Sequence, residues 1–448
     1  MENNFDTIAA IITPIALGAV GIVRISGDKS FEIASQIFSK PIKPKMINYG
    51  NILDEKKNII DEVILLPFAS PKSYTGEDVI EIQCHGSFVI LNTILETVIS
   101  YGARLAQKGE FTKRAFLNHR IDLSQAEAVL DIIQSKSMKS AQNAMNNLGG
   151  YLKNKVLSVK NDLVKLYSKV IASIDFPEDV EEIESKEVVS MCNDKILEID
   201  SILKNAKSHN IIRDGISIAL IGKPNVGKSS LFNALLNYNR SIVTDIAGTT
   251  RATIKEALNL DGYLVNFVDT AGIRTDNTVD TVESIGIKNS ILEIENSDII
   301  LFLFEKNISE IDKNLISKAK NKKKLFVKTK SDIIPIDTTD IDNKNNKIIS
   351  ISSVTLFGIE ELKKEILNII TNLIPDDTNY TTNKRQINCL IQAKNALDNV
   401  ILTANSNSLA DLYAMDLKSS ILALDEITGE VLTDTILDDI FSNFCIGK

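Results

Sequence analysis

The chain has 448 residues, with 50 lysines and arginines against 59 aspartates and glutamates and a formal charge of −9. At ~150 residues per domain this is about three domains, and the acidic balance excludes a protein that coats nucleic acid non-specifically, while allowing a local surface for one folded RNA. No apolar run nears the ~20 residues of a membrane span, the first six residues lack a signal peptide's basic and apolar regions, and Cys84, Cys192, Cys389 and Cys445 have no metal-ligand spacing, so a reduced, cytoplasmic protein is expected.

Residues 1–118 read as an α/β domain, with strands at 20–27, 63–68 and 78–83 and a helix at 88–99. A polar turn, Ser73-Tyr74-Thr75-Gly76-Glu77, separates the second and third strands. Arg24 and Glu81 fall inside strand patterns, and pattern alone points both to solvent. Residues 119–212 turn helical. An amphipathic run at 123–133 opens them, Gly149-Gly150 breaks the run, and Asp175-Phe176-Pro177 stops the next helix at 174. The acidic stretch 178–187 reads as a solvated linker before a helix ending near Lys207. Residues 213–375 alternate strand and helix, with strands at 216–221, 254–260, 263–268, 298–304, 324–328 and 347–351. The basic cluster at 318–324 reads as a solvated helix end. Residues 376–448 are helical again from 385 to 444.

One stretch organises the rest. Gly222-Lys223-Pro224-Asn225-Val226-Gly227-Lys228-Ser229 matches G-x-x-x-x-G-K-[ST], a phosphate-binding loop, with a strand before it and a helix from Ser230 after it. The glycines let successive N–H groups turn inward to the phosphates, Lys228 brings a point charge, and the Ser229 hydroxyl suits Mg²⁺. The expected fold class is therefore multidomain α/β plus all-α. It comprises an N-terminal α/β domain, a discontinuous helical domain (119–212 and 376–448), and an inserted Ras-like P-loop domain (213–375) with a mostly parallel sheet.

Further motifs name the nucleotide. Asp269-Thr270-Ala271-Gly272 follows a strand, placing Asp269 to reach Mg²⁺ through water and the Gly272 N–H to sense the γ-phosphate. Thr329-Lys330-Ser331-Asp332 also follows an apolar strand. The Asp332 carboxylate can accept two hydrogen bonds from guanine, which adenine does not offer, and the stem of Lys330 can cover the base. Ser352 and Ser353 offer a backbone N–H to the guanine oxygen. Thr244-Asp245-Ile246-Ala247-Gly248-Thr249-Thr250 is a loop in which Thr250 can complete the Mg²⁺ shell, whereas Asp245 taken alone reads as a turn residue. These sites at strand carboxyl ends are where open α/β sheets bind ligands. Ile273 occupies the place of the water-orienting glutamine of Ras-type GTPases, so catalytic help must come from elsewhere.

With these motifs, the chain resembles the MnmE (TrmE) family of tRNA-modification GTPases over essentially its whole length. Outside the nucleotide domain the likeness rests on Tyr74-Thr75-Gly76-Glu77-Asp78-Val79, Gly109-Glu110-Phe111-Thr112, Arg114-Ala115-Phe116-Leu117-Asn118 and Phe444-Cys445-Ile446-Gly447-Lys448. The resemblance implies a homodimeric, potassium-dependent GTPase whose nucleotide domains meet when GTP binds. K⁺ would be held by Asn225, Thr244, Ile246 and Thr249, Mg²⁺ by Ser229 and Thr250, and the attacking water by Glu283. The N-terminal domain would bind a formyl-tetrahydrofolate through Arg24, Glu81, Arg120 and Lys448, with Cys445 facing the substrate region. The implied partners are tRNA and the FAD-containing protein MnmG, in a heterotetramer that adds an aminomethyl or carboxymethylaminomethyl group to the wobble uridine of certain tRNAs.

Departures from the family pattern are Ala252 for Asp, Thr329 for the Asn of Asn-Lys-x-Asp, and Ser353 for Ala. The second is expected to remove a polar link to the phosphate loop. Two other classes stand as alternatives: a ribosome-assembly GTPase switch of the Era or Der type, which lacks the flanking motifs, and a folate enzyme with a vestigial GTPase, against which Lys228, Ser229 and Asp269 argue. A prenylation signal at Cys445 does not suit Gly447-Lys448.

Overall fold

The computed structural model describes residues 6–179, 181, 183–204, 211–223, 225–238, 254–269, 291–306, 310–319, 322–333, 348–374, 379–406, 410–431 and 433–448. The chain divides into two compact units, one made of Met1–Leu130, Asn147–Ile196 and Asn388–Lys448, the other of Asp131–Asn146 and Leu197–Ile387.

The first unit holds a six-stranded sheet built from β1 (Ile8–Ile11), β2 (Val20–Ser26), β3 (Asn48–Leu53), β4 (Ile59–Phe68), β5 (Val79–His85) and β6 (Arg104–Leu105). The order is β3-β4-β5-β2-β1-β6, antiparallel except for the β1–β6 pair. In β4 the alternating Asp61, Val63, Leu65 and Pro67 are buried while Glu62, Ile64 and Phe68 are exposed, the period-2 signature of a half-covered strand. Helices α1 (Ser30–Ile37) and α2 (Phe88–Ser100) cover one face, joining Ile33, Ile37, Leu91 and Ile94 to Val23, Ile25, Leu65 and Ile82. On the other face α3 (Glu110–Leu117) lays Phe111 against Ile8, Ala10, Ala106 and Tyr74. With cover on both sides, β2 loses its alternation and is buried at every position from Val23 to Ser26.

Helices follow: α4 (Leu123–Gln134), α5 (Met138–Leu148), α6 (Tyr151–Asp175) and α7 (Ser185–Lys204). Gly150 separates α5 from α6 with φ +89, a left-handed turn that glycine adopts without strain. The α6 residues Leu152, Val156, Val159, Leu163, Leu166 and Val170 are buried at spacings of three and four, one apolar stripe.

The second unit's sheet comprises β7 (Ile216–Ile221), β8 (Ile254–Leu260), β9 (Tyr263–Asp269), β10 (Ile299–Phe304), β11 (Lys323–Lys328) and β12 (Ile348–Ser350), ordered β12-β11-β10-β7-β9-β8. Every pairing is parallel except β8–β9. Helices α8 (Lys228–Tyr238) and α10 (Ile359–Leu373) pack Leu231, Leu235, Ile359, Leu362 and Ile366 against Ile216, Ile218 and Leu220. Ala219 and Ile221 face the other way, toward Leu315 of α9 (Glu310–Lys318) and Ile294. Strands covered on both faces explain the near-continuous apolar runs.

The basic cluster at 318–324 is not one solvated helix end. Helix α9 stops at Lys318, Lys323 and Lys324 open β11, and the Lys322 ammonium donates to the carbonyls of Glu295 and Ser297 at 2.8 Å each. It thereby satisfies carbonyls orphaned at the end of the helical turns 291–296.

The chain closes with α11 (Lys384–Asn405), α12 (Ala410–Thr428) and α13 (Asp434–Ser442). Helix α12 packs on α6, and α13 packs on α3, where Lys113 pairs with Asp438 at 2.7 Å. The N-terminal α/β sheet, the helices in two stretches and the intervening mostly parallel sheet agree with the fold class expected from sequence. Among the described residues no helix is long and apolar enough to cross a membrane.

Candidate functional site

Two clusters gather the predicted residues, one in each unit. In the second, β7 runs into Gly222, which passes so close to β10 that a Cβ there would lie 2.4 Å from the Leu303 carbonyl oxygen and 3.1 Å from Val226. The loop continues through two left-handed residues, Asn225 (φ +64) and Gly227 (φ +101), while Val226 is buried and anchors it in the core. Lys228 opens α8 and folds back, its ammonium donating to the Gly222 carbonyl at 2.8 Å. Ser229 and Ser230, in the first helical turn, are exposed. This is a narrow backbone cradle with a cation above it at a helix N-terminus, the geometry that phosphate binding requires.

The ends of the parallel strands converge on this loop. Thr329, at the end of β11, donates its hydroxyl to the Val226 carbonyl at 2.7 Å, so the polar link to the phosphate loop is kept. That corrects the expectation that losing the family's Asn would break it: Thr329 is buried against the loop, within reach of a shorter side chain. Lys330 donates to the Asn225 carbonyl at 3.1 Å and pairs with Glu305 at 2.5 Å. Asp332 is exposed, and Ser331 N–H ties its loop to the Ile351 carbonyl at 3.1 Å. The Ser352 N–H donates to the Phe357 carbonyl at 3.0 Å, which leaves Ser353 as the amide of that pair not engaged among the described residues. Asp269 ends β9 beside Leu220 of β7; its side chain, and Thr244, Asp245, Ile246, Ala247, Gly248, Thr249, Thr250, Thr270, Ala271, Gly272, Ile273, Ala252 and Glu283, lie outside the described residues.

In the first unit, Arg24 and Glu81 stand opposite each other on β2 and β5. Arg24 Nε and Nη2 lie 2.9 and 2.7 Å from Glu81 Oε1, and Arg24 is only 8% exposed. The expectation that both point to solvent is corrected, because α3 and the chain's C-terminal segment cover this face of the sheet. Among the described residues, Arg24 Nη1 is buried with no hydrogen-bond partner, which leaves that donor for a ligand. The Arg24 guanidinium lies 4.9 Å from the Tyr74 ring centre and 5.4 Å from that of Phe111, and Arg120 lies 5.2 Å from Tyr74. Arg120 also donates to the Tyr74 carbonyl at 2.7 Å, and the Tyr74 hydroxyl bonds Thr112 at 2.9 Å.

Residues 444–448 complete this cluster. Ile446 bridges to Lys108, and the Gly109 N–H donates to the Cys445 carbonyl at 3.4 Å. Gly447 (φ +96) passes so near β1 that a Cβ would lie 2.7 Å from the Ile11 carbonyl oxygen. Lys448 thereby comes close to the Arg24–Glu81 pair. Burial pushes its ammonium pKa down, the Arg24 charge adds to this, and Glu81 and Cys445 oppose it. Cys445 is exposed, while burial pushes the Cys84 and Cys192 thiols up to about 11 and about 12. Arg24 and Lys448 thus lie beside Glu81, and Arg24 and Arg120 share the Tyr74 ring, an excess of positive charge that suits a ligand carrying carboxylates.

Several residues here carried no predicted role. Tyr74, Phe111 and Thr112 line the cluster, and the two flanking motifs turn out to interlock: Asn118 donates to the Thr75 carbonyl at 2.8 Å and Arg114 pairs with Glu77 at 3.2 Å. Glu305 was also missed, although a lone carboxylate ending an apolar parallel strand is a recognisable signal.

Known proteins carry the same plan. Residues 7–120 match the family described as "GTP-binding protein TrmE N-terminus", and residues 123–445 match the "MnmE helical domain". The "tRNA modification GTPase MnmE" of Thermoanaerobacter sp. (strain X514) is 41% identical over 460 residues, spanning 99% of this chain and 100% of that protein. That of Lactobacillus johnsonii (strain CNCM I-12250 / La1 / NCC 533) is 39% identical over 458 residues, 100% and 99% of the two. Among solved structures, the FeoB G-domain from Methanococcus jannaschii is 27% identical, covering 35% of this chain and 98% of that one at a TM-score of 0.26. Identity near 40% along the full length, with both family matches and an intact phosphate loop, settles the matter: the chain belongs to the MnmE (TrmE) family of tRNA modification GTPases.

Proposed function

We propose that the protein is a potassium-stimulated, cytoplasmic GTPase that works with the FAD-dependent partner MnmG to add a carboxymethylaminomethyl group to the wobble uridine C5 of certain tRNAs. The observation that carries this reading is the convergence of the 222–229 loop with Thr329, Lys330 and Asp332 at neighbouring strand ends. The domains are 1–118 for folate binding and dimerisation, 119–212 and 376–448 for the helical domain, and 213–375 for the GTPase.

When GTP enters, Lys228 exchanges the Gly222 carbonyl for β/γ-phosphate oxygens, and the loop amides hold the β-phosphate. Asp332 accepts from the guanine N–H and amine, and the amide of Ser353 donates to the guanine oxygen. Ser229 and Thr250 would hold Mg²⁺, and Asn225, Thr244, Ile246 and Thr249 would hold K⁺; together these ions neutralise charge developing on the phosphates. Glu283 orients water, since Ile273 cannot. In the first unit, Arg24, Glu81, Arg120 and Lys448 would bind a formyl-tetrahydrofolate, the one-carbon donor. The exposed apolar residues Ile15, Leu17, Val20, Phe88 and Val89, on a loop hydrogen-bonded to Gly86 and on the elements flanking it, support a homodimer through this domain.

Steady-state GTP hydrolysis in KCl and NaCl at equal ionic strength tests the reading. A gain of about 10-fold or more in K⁺, lost in Asn225→Ala, is expected, with the ~10³–10⁵ supplied by an arginine finger as its upper bound. Equal slow rates in both salts would instead favour a switch that binds RNA without potassium-assisted turnover.

A further inference from the structure

Two left-handed residues that are not glycine face each other across the nucleotide site. Asn225 has φ +64 and Lys330 has φ +57. A lysine in this region is strained, and such strain persists only where the surroundings over-determine it. Here they do. The Lys330 ammonium donates to the Asn225 carbonyl at 3.1 Å and pairs with Glu305 Oε1 at 2.5 Å. Its backbone is fixed on either side, Thr329 N–H to the Phe304 carbonyl at 2.9 Å and Ser331 N–H to the Ile351 carbonyl at 3.1 Å. Glu305 follows directly on β10, whose Phe304 is opposite Lys328 of β11. The carboxylate therefore stands where two adjacent strands end, and it shares the lysine ammonium with the Asn225 carbonyl of the phosphate loop.

We propose that Glu305 is a positioning residue for nucleotide binding. It draws the Lys330 ammonium into one place, so that the alkyl stem is preorganised to cover the base and the ammonium holds the Asn225 carbonyl, and with it the turn of the phosphate loop. Base site and phosphate loop are then joined through one side chain, and Glu305 sets its geometry without touching the nucleotide. The inference rests on reading 222–229 and 329–332 as a guanine-nucleotide site.

The test is the dissociation rate of a fluorescent N-methylanthraniloyl-GDP from the full chain, in wild type, Glu305→Gln, Lys330→Met and the double variant. A half-exposed pair predicts about a two- to fivefold faster release from Glu305→Gln. The double variant should release no faster than Lys330→Met alone, because both changes remove one linkage. The GDP-to-IDP affinity ratio should stay at its wild-type value in Glu305→Gln, since that ratio reports the exocyclic amine held by Asp332. Additive rate increases, an unaltered rate in Glu305→Gln, or a lowered unfolding midpoint of the nucleotide-free protein with unaltered release would each overturn the proposal. Failure of the wild type to bind GDP would overturn the nucleotide-site reading itself.

Discussion

Gly222→Ala is expected to abolish nucleotide binding, with affinity for GDP falling about 100-fold or more. The new methyl carbon would sit 2.4 Å from the Leu303 carbonyl oxygen, well inside van der Waals contact. That oxygen cannot give way: Leu303 lies within β10, opposite Val327 of β11, in the middle of the sheet. The loop must therefore move instead, pulling the Gly222 carbonyl off Lys228 and the Val226 carbonyl off Thr329. Gly262→Ala is the matching control. Its backbone is left-handed, at φ +86, but its added methyl meets nothing within 4 Å. It should lose about 1 kcal/mol of stability and keep GDP affinity. Equilibrium titration with labelled GDP distinguishes the two, and wild-type affinity in Gly222→Ala would show that the loop does not need its approach to β10.

The second large effect is on stability, in the first unit. Arg114 is 2% exposed and donates to the Asp6 carbonyl at 2.7 Å, to Asp6 Oδ1 at 2.9 Å, to Glu110 at 3.0 Å and to Glu77 at 3.2 Å. Arg114→Met fills the space but strands carboxylates, and breaking such a buried arrangement costs about 3–5 kcal/mol. The cost depends on pH in a definite sense. Burial alone would raise the Glu110 pKa, but the bonds from Arg104, the Gln107 amide and Arg114 outweigh it and hold the carboxyl below 4.5. Asp6 is likewise held low, chiefly by its bond to Arg104. Groups with depressed folded values contribute stability above the unfolded pKa and lose it as pH falls through the folded one, so wild type weakens below pH 4.5 or so. Without Arg114, desolvation gains weight at Glu110 and protonation becomes easier. Thermal midpoints should therefore differ more between wild type and Arg114→Met at pH 7.5 than at pH 5; a gap that does not narrow would show that these carboxylates are not the groups left exposed to the loss.

Strongly patterned elements were legible in the sequence. The strand at 216–221 and the phosphate loop appear where period and motif place them, because a strand buried on both faces must be apolar throughout and a phosphate cradle admits few residue types. The short or polar strands were not: Ile8–Ile11 is four residues long, and Asn48–Leu53 is an edge strand with little β-branched content. Arg24 shows why charged strand residues mislead. Whether such a side chain meets water depends on what covers the sheet, and here that cover comes from residues 104–117 and 444–448, which local pattern cannot see. Thr329 shows a different limit, since a family's side chain can be replaced when backbone proximity lets a shorter hydroxyl serve. Glu305 shows a third limit: its strand-end position is recognisable, but its role depends on a lysine 25 residues away.

The Arg24 cluster also has a history in time. Its floor lies on a sheet made of residues 8–105, but its lid arrives with residues 444–448, and the neighbouring Lys113–Asp438 pair closes across 325 residues. At ribosomal rates of ~5–20 residues per second, the sheet waits about 17–69 s for that segment to be made. During this interval Ala115 and Ile121 lack the cover later given by Leu437, Phe441 and Phe444. The nascent chain thus carries an apolar face through most of its synthesis, until its own late-made helix covers it. The Arg24 cluster is consequently a late product of biogenesis, complete only after the nucleotide domain has been synthesised.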